Sequence, residues 1–389
     1  IARAPLISYV TSVAFLFVAI ITPLLSGIAD YLGNKKVFMK FFCYLGALSC
    51  IGLYWFSLEH IYLGLVCYFF GLVGFWVSFA IYNSYLPDIA FEAQQDRISA
   101  KGFSMGYIGS VILLLFNLAM VMKPDLFGIV SDGGEAAEIK AMKYSFISVG
   151  IWWIIFAQYT FFHLPKGYRK EGERQHIVLN GFKELKTVWH QLGGETRLKR
   201  YLAAFFVYSM AVQTVMLIAT YFGEEEINWG SDTERTTGLI VSILVIQLVA
   251  IIGATVTAWA SKLYGNIRTL IVINLFWVFI CIYAYFLIDP IDFYIAAGFV
   301  GLVMGGIQAL SRSTYSKFLP ATTDTASFFS FYDVSEKIGI VIGTFLYGII
   351  AQQTGSMRSA TIFLGLFFLI GMFLLMRVHK KAPLGEGLQ

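Results

Sequence analysis

Charged residues are scarce in this chain, which has only 13% Asp, Glu, Lys and Arg against 58% hydrophobic residues in 389 positions. The few charges fall almost wholly between apolar runs of about 20 residues, the length at which a helix crosses a bilayer. A water-soluble multidomain protein is therefore excluded, and an all-α integral membrane protein is predicted. The net charge of only +4 gives no basis for binding nucleic acid.

Cysteine is also rare, and Cys43, Cys50, Cys67 and Cys281 all lie inside apolar runs without metal-ligand spacing. We interpret these four residues as small packing side chains, so the sequence predicts no disulfide, no metal site and no cofactor. A zinc-protease HExxH motif and a phosphate-binding loop are absent as well. No catalytic residue is assigned, and the chain is not expected to be an enzyme.

A short turn at residues 26–37 (SGIADYLGNKKV) connects the first two apolar runs. Its glycine permits a sharp chain reversal, and its paired lysines suit the cytoplasmic face of a membrane. A diverged copy of this turn, SKLYGNIRTL, occupies residues 261–270. The YLP of residues 85–87 likewise has a counterpart in the FLP of residues 318–320. Two landmarks that repeat at nearly the same distance predict a duplicated membrane protein built from two parallel halves.

The apolar runs divide into five spans in an N-terminal bundle, residues 1–163, and six in a C-terminal bundle with a short tail, residues 201–389. The repeat then predicts one further helix ahead of Ile1 and twelve spans in the full-length protein. Residues 164–200 form a hydrophilic linker with an amphipathic helix, because apolar residues recur there at helical spacing. These are Val178, Phe182, Leu185, Trp189 and Leu192.

Basic residues concentrate in alternate loops, on the side of the membrane that includes the 26–37 turn. The positive-inside rule therefore predicts that this turn, the linker and the C-terminus are cytoplasmic. A bacterial inner membrane is the expected location, and a monomer in the lipid bilayer is the expected state.

The frame Gly-x-x-Asp-x-x-Gly-x-Lys-Lys in this turn is similar to the signature loop of the major facilitator superfamily. Residues 82–110 (YNSYLPDIA…DRISAKGFSMGYIGS) and 305–348 (GGIQALSRSTYSKFLP…ASFFSFYDVSEKIGIVIGTFLYG) resemble its vacuolar-effluxer-like branch, whose fungal autophagy-related members are linked to vacuolar amino-acid export. The first helix of that branch, with its Tyr-Asp-Trp-Ala-Asn-type motif, is missing here. The resemblance implies the major facilitator fold, with two pseudo-symmetric helical bundles around a central cavity.

The resemblance further implies a secondary active transporter that moves a small solute by alternating access. An amino acid or a small peptide is the candidate solute, and efflux is the favoured direction. A non-transporting membrane sensor or scaffold on the same fold is the alternative. Ionisable residues inside a span favour transport, because they cost several kcal/mol in a bilayer unless they are paired or used.

Polar residues within the spans are the candidates for lining a solute cavity, although each could equally be satisfied by a neighbouring helix. The resemblance favours those on the fourth, seventh and tenth helices of the full-length fold. With Lys337, which lies within a span and is described next, the candidates are Tyr82, Asn83, Gln213, Gln308 and Lys337.

Asp333, Glu336 and Lys337 form an ionisable cluster well inside a span that begins near Ser327. Glu336 lies nine residues into this span, roughly 13 Å deep at about 1.5 Å per residue. Asp333 and Lys337 are i, i+4 neighbours that can pair, and Glu336 flanks the same face. We predict that Glu336, with Asp333, exchanges a proton while Lys337 meets an anionic group on the solute. The alternative is an ion-pair network that only locks this helix in place.

The 26–37 turn is the predicted gate, through Asp30, Gly33, Lys35 and Lys36. Asp30 is expected to approach the N-terminus of the Ser327 helix, whose free N–H groups attract a carboxylate. Small residues let helices approach closely in lipid. Gly339 and Gly343 are therefore expected to pack against the span that carries Ser26 and Gly27.

Overall fold

The computed structural model describes residues 3–57, 59–131, 136–165, 167 and 177–378 of the chain. Across these residues the regular structure is helical and contains no strand. A helix satisfies its own backbone hydrogen bonds, as lipid requires. In chain order the helices are α1 (Arg3–Leu32), α2 (Lys35–Gly52), α3 (Ile61–Asn83), α4 (Leu86–Ile89), α5 (Gln95–Met122), α6 (Ala137–His163), α7 (Ile177–Gly194), α8 (Thr196–Glu226), α9 (Asp232–Tyr264), α10 (Asn266–Tyr285), α11 (Pro290–Phe318), α12 (Thr325–Thr354) and α13 (Met357–Met376).

Eleven of the helices described are long and apolar enough to cross a membrane, the exceptions being α4 and α7. Five of them precede α7 and six follow it, so the predicted number of spans is confirmed for the described part of the chain. The further helix expected ahead of Ile1 lies outside the chain and stays a prediction. The predicted tail beyond residue 378 and residues 168–176 of the linker lie outside the described residues.

Glycine ends the helix on the N-terminal side of both copies of the repeated turn. Gly33 has a φ of 63°, and the Asn34 amide donates to the Ala29 carbonyl at 3.1 Å. Gly265, in the second copy, has a φ of 85°. Both angles lie in the left-handed region, where residues with a Cβ are strained, so glycine is required at each position. A glycine with positive φ at the corresponding position is thus common to both copies of the turn.

The helices group into two compact units. The first comprises the described parts of residues 1–95, 105–189 and 321–338, and the second those of residues 96–104, 190–320 and 339–389. The division crosses α5 and α12, because the first turns of both helices are bonded to distant segments by the contacts described below. The bundle limits predicted from the repeat stay a prediction.

Small residues bring three helices of the second unit close together. Ala100 on α5, Ala254 on α9 and Ala309 on α11 form one buried cluster. A Cβ on Gly305 of α11 would meet the backbone of Ala250 on α9, so only glycine fits there. Small residues allow such backbone approach between helices in lipid. The core of the first unit instead consists of larger side chains on α1, α2, α3 and α6, among them Val18, Phe42, Val77 and Phe161.

The expected partner of Gly339 and Gly343 is wrong. Both glycines face α8, where a Cβ on Gly343 would come within 2.7 Å of Met210 Cγ and 2.9 Å of the Met210 carbonyl oxygen. Gly27 instead faces Gly181 of α7. At about 100° per residue, Gly339 is rotated by about 120° from Ser327 around α12, so the two positions cannot face the same neighbour.

Gly343→Ala is expected to lower the free energy of unfolding by about 1–3 kcal/mol, because the added methyl group overpacks the contact with Met210. Gly348→Ala in the same helix is the matched control, since a Cβ there meets nothing within 4 Å. Thermal unfolding in detergent compares the two variants. Equal midpoints would contradict the assignment of close α8–α12 packing.

Candidate functional site

The Asp30 carboxylate caps the N-terminus of α12. One oxygen accepts the Ser327 amide at 2.6 Å and the other accepts the Ala326 amide at 3.3 Å, and Asp30 is only 5% exposed. These are the second and third residues of α12, whose amides have no partner within the helix. Asp30 thus satisfies, from a distant segment, the donors that an N-cap side chain usually satisfies. The contact expected from the sequence is present.

Lys35 extends this contact. Its ammonium donates to Thr325 Oγ1 at 2.6 Å and to the Ser84 carbonyl at 3.1 Å, and it forms an ion pair with Asp88. It also lies 4.5 Å from the centre of the Tyr85 ring. Burial raises the pKa of the Tyr85 phenol above its ordinary value, and the Asp88 carboxylate acts in the same direction. The ring is therefore neutral, and its face can attract the ammonium.

Lys36 contacts a different helix from Lys35. Its buried ammonium donates to the carbonyl of Leu164 at 2.7 Å, immediately after the end of α6. A cation is favourable at the C-terminus of a helix, where carbonyl groups lack partners and the dipole is negative. The two neighbouring lysines of the turn thus bind different elements, and the gating roles of Gly33, Lys35 and Lys36 stay predictions.

Asp96, in the first turn of α5, is the centre of a second polar cluster, which belongs to the second unit. Its carboxylate accepts from Ser261 Oγ at 2.9 Å, from Asn266 Nδ2 at 2.8 Å and from the Lys317 ammonium at 2.6 Å. Asn266 also donates to Thr314 Oγ1 at 3.0 Å. Ser261 and Asn266 belong to the second copy of the turn, so both copies hold the first turn of another helix.

The Asp30 contact and the Asp96 cluster differ in whether the turn or the helix supplies the carboxylate. In the first, the turn supplies the carboxylate and the helix supplies amides, whereas in the second the helix supplies the carboxylate of Asp96. Arg312 reinforces the second contact, donating to Ser99 Oγ at 3.0 Å and to the Ser99 carbonyl at 3.1 Å. Sequence reasoning missed this cluster. The available signal was the run of polar residues at positions 311–314, at the inner end of a span.

Asp96→Asn is expected to lower the free energy of unfolding by about 1.5–3 kcal/mol, because Lys317 loses a charged hydrogen-bond partner in a site only 15% exposed. Asp125→Asn, at an exposed position, is the control. Denaturant or thermal unfolding measures both. A change below about 0.5 kcal/mol for Asp96→Asn would place the cluster among ordinary surface contacts.

The ionisable cluster in α12 is closed around one ammonium. Lys337 Nζ lies 3.1 Å from Asp333 Oδ1 and 2.9 Å from Glu336 Oε2, and its side chain is fully buried. The centre of the Trp76 ring on α3 lies 3.6 Å from the same nitrogen, a cation–π distance. The predicted pairing of Asp333 with Lys337 is present, and Glu336 pairs as well. Trp76 was missed, because sequence spacing does not relate α3 to α12.

One carboxylate oxygen of the cluster lacks a partner. Asp333 Oδ2 is buried and makes no hydrogen bond among the described residues, and Asp333 is 2% exposed. Two carboxylates surround a single lysine, so with all three groups ionised the cluster carries one negative charge. A buried net charge and a buried oxygen without a hydrogen bond are both costly. A proton on this oxygen neutralises the net charge and turns the oxygen into a hydroxyl that can donate a hydrogen bond.

The remaining cavity candidates lie in separate units. Tyr82 and Asn83 are at the end of α3, with Asn83 buried, and both belong to the first unit. Gln213 is buried on α8, and Gln308 on α11 donates to Met216 Sδ of α8 at 3.5 Å, so these two belong to the second unit. Their assembly into one solute site stays a prediction.

The second unit also contains an apolar cavity of about 70 Å³ between α8, α9, α10 and α11. Its walls, which include Phe222, Cys281 and Phe293, offer almost no polar surface, so the cavity cannot recognise a polar solute. Among the described residues no group of three or more His, Cys, Asp and Glu side chains could hold a metal ion.

Comparison with known proteins places these features in a family context. The family described as "Vacuole effluxer Atg22 like" matches residues 1–383. The chain is 30% identical over 375 residues to the uncharacterized MFS-type transporter YxiO of Bacillus subtilis, covering 96% of this chain and 85% of YxiO. It is 24% identical to autophagy-related protein 22 of Eremothecium gossypii, covering 73% of this chain and 59% of that protein. The Escherichia coli fucose:proton symporter FucP aligns with a TM-score of 0.72 at 18% identity, covering 97% of this chain and 91% of that one, and this likeness concerns the fold alone.

Proposed function

Because the chain belongs to the vacuole effluxer Atg22-like family of major facilitator proteins, we propose that it is a secondary active transporter moving a small solute by alternating access. Its relatives are transporters rather than enzymes, and its eleven candidate spans make it an integral membrane protein. The observation that carries the proposal is the buried Asp333–Glu336–Lys337 cluster. In a protein that does not transport, two carboxylates around one lysine in a span would serve only to lock α12, at the cost of burying ionisable groups in the bilayer.

The cluster supports coupling between a proton and an acidic group on the solute. Lys337 is held by Asp333, by Glu336 and by the face of Trp76, so an incoming anionic group must displace one of them. A proton bound to a carboxylate weakens its hold on the lysine and frees an N–H for the solute. Proton binding then raises solute affinity, and by reciprocity the solute raises proton affinity. This is the logic of symport.

Amino acids and small peptides are the first solutes to test, since each carries a carboxylate that can meet Lys337. Efflux is the direction that the family description favours, whereas proton symport across a bacterial inner membrane would drive uptake, so the flux measurement below decides the direction. Tyr82, Asn83, Gln213 and Gln308 are proposed to line the solute path. The protein is proposed to act as a monomer in a bacterial inner membrane, with the linker and the C-terminus cytoplasmic.

Asp333→Asn and Glu336→Gln are expected to retain solute exchange and to lose the dependence of net flux on pH, because an amide cannot take up the coupled proton. The measurement is uptake of labelled amino acids and small peptides into proteoliposomes at two pH values. Glu138→Gln, at an exposed position, is the matched control and should keep the wild-type profile.

Two results would oppose the proposal. An unchanged pH profile in both cluster variants would make the cluster structural and place coupling elsewhere. Solute binding without flux in the wild-type protein would favour the sensor.

A further inference from the structure

Helix α7 presents two different faces. Gly181, Val188 and Leu192 are buried and follow one another at steps of seven and four residues. Leu179, Phe182 and Trp189, spaced by three and seven, are 52–59% exposed. At about 100° per residue, Phe182 and Trp189 lie about 80–100° around the helix from the buried stripe, and Leu179 lies about 160° from it. One stripe is packed against protein, and the other is apolar and more than half exposed, with Trp189 touching Phe331 at one edge.

Helix α7 contacts both partners of the Asp30 contact. Gly181 lies against the backbone of Gly27 on α1, where neither glycine has room for a Cβ. Asn180 donates to the hydroxyl of Tyr31 at 2.9 Å, one residue beyond Asp30. Trp189 packs on Phe331 of α12 at 5.4 Å between ring centres, one turn beyond Ser327. Helix α7 thus touches the end of α1 and the beginning of α12.

The exposed stripe is flanked by basic residues. Lys186 lies within the stripe, four residues after Phe182 and three before Trp189, and Lys183 and His190 border it. All three are exposed, and the only acid on α7, Glu184, is partly buried. Apolar side chains with neighbouring lysines are typical of helices at the surface of an anionic bilayer. There the apolar side chains enter the acyl boundary, and the lysine side chains extend to the headgroups.

We propose that α7 binds anionic lipid headgroups through Leu179, Phe182, Lys183, Lys186 and Trp189, and that lipid binding steadies the Asp30 contact. Helix α8, the span that follows, begins two residues after α7 ends, so the stripe is tethered at the membrane surface. A second copy of the chain is disfavoured as the occupant, because pairing of two identical stripes would bring Lys186 against Lys186. The inference does not depend on the identity of the solute.

Hydrogen–deuterium exchange tests the proposal without any solute. The amides of Ala326 and Ser327 are followed in nanodiscs of pure phosphatidylcholine and of phosphatidylcholine with about one quarter phosphatidylglycerol. The anionic lipid is expected to slow their exchange by roughly five- to tenfold, because basic residues are attracted to an anionic membrane surface. Lys183→Gln/Lys186→Gln should abolish most of this difference, and added salt should reduce it.

The matched control is Lys123→Gln/Lys262→Gln, which removes two exposed positive charges from positions outside α7 and should leave the lipid effect unchanged. Equal exchange in both lipids would overturn the proposal. So would an equal lipid response in the α7 variant and the wild-type protein. Exchange that slows with protein concentration instead of lipid charge would identify a second copy as the occupant and would also overturn it.

Discussion

Lys337→Met is expected to lower the free energy of unfolding by about 3–5 kcal/mol, because it leaves two carboxylates buried without their common partner. The lysine side chain is fully buried, and those of Asp333 and Glu336 are 3% and 14% exposed. The loss of Trp76 contact with the ammonium adds to the effect. Equilibrium unfolding of the purified protein in detergent measures it.

Two further variants make this result interpretable. Asp333→Asn/Glu336→Gln/Lys337→Met removes all three charges and should recover most of the lost stability, since no uncompensated charge remains. Arg235→Gln breaks an ion pair with Asp232, whose side chain is 90% exposed, and should change stability by less than about 0.5 kcal/mol. If Lys337→Met were as stable as the wild-type protein, the cluster would not be the buried charge network described above.

Asp30→Asn is expected to weaken the cap on α12 and to slow transport by roughly ten- to a hundredfold while leaving membrane insertion intact. A hydrogen bond to a charged group contributes about 1.5–3 kcal/mol, and the amide replaces one such acceptor with a neutral oxygen and a donor. Any conformation that contains the contact then loses population relative to one that lacks it. Faster deuterium exchange at Ala326 and Ser327 is the direct readout.

Glu92→Gln is the control for this second experiment, because it removes a carboxylate from an exposed position in the connection between α3 and α5. It should leave both exchange and transport unchanged. Wild-type flux in Asp30→Asn, with faster amide exchange, would show that the cap shapes α12 without acting in the transport cycle.

The Asp30 contact could be predicted from the sequence because both of its components are local. A carboxylate in a glycine-ended turn and a helix that begins near Ser327 can each be identified from adjacent residues, and the repeat places them on the same side of the membrane. The Asp333–Lys337 pair could be predicted for the same reason, since residues at i and i+4 share a helix face, whereas the Glu336–Lys337 contact could not, because adjacent helical residues do not face each other.

What could not be predicted depends on the rotation and packing of separate helices. Gly339 and Gly343 lie on the face of α12 that contacts α8, whereas Ser327 lies on a different face of the same helix. Trp76 on α3 meets Lys337 on α12 through a tertiary contact between residues far apart in the chain. The Asp96 cluster could not be predicted, because its three partners come from positions 165 to 221 residues later in the chain.

Solute flux coupled to a proton gradient is the most direct test of the central claim. Proteoliposomes that contain the wild-type protein, Asp333→Asn or Glu336→Gln are given labelled amino acids and small peptides, with and without an imposed pH gradient. We expect the gradient to drive accumulation of at least one of these solutes by the wild-type protein, while both variants only exchange it across the membrane. Equal gradient-driven accumulation by all three proteins would contradict proton coupling through this cluster.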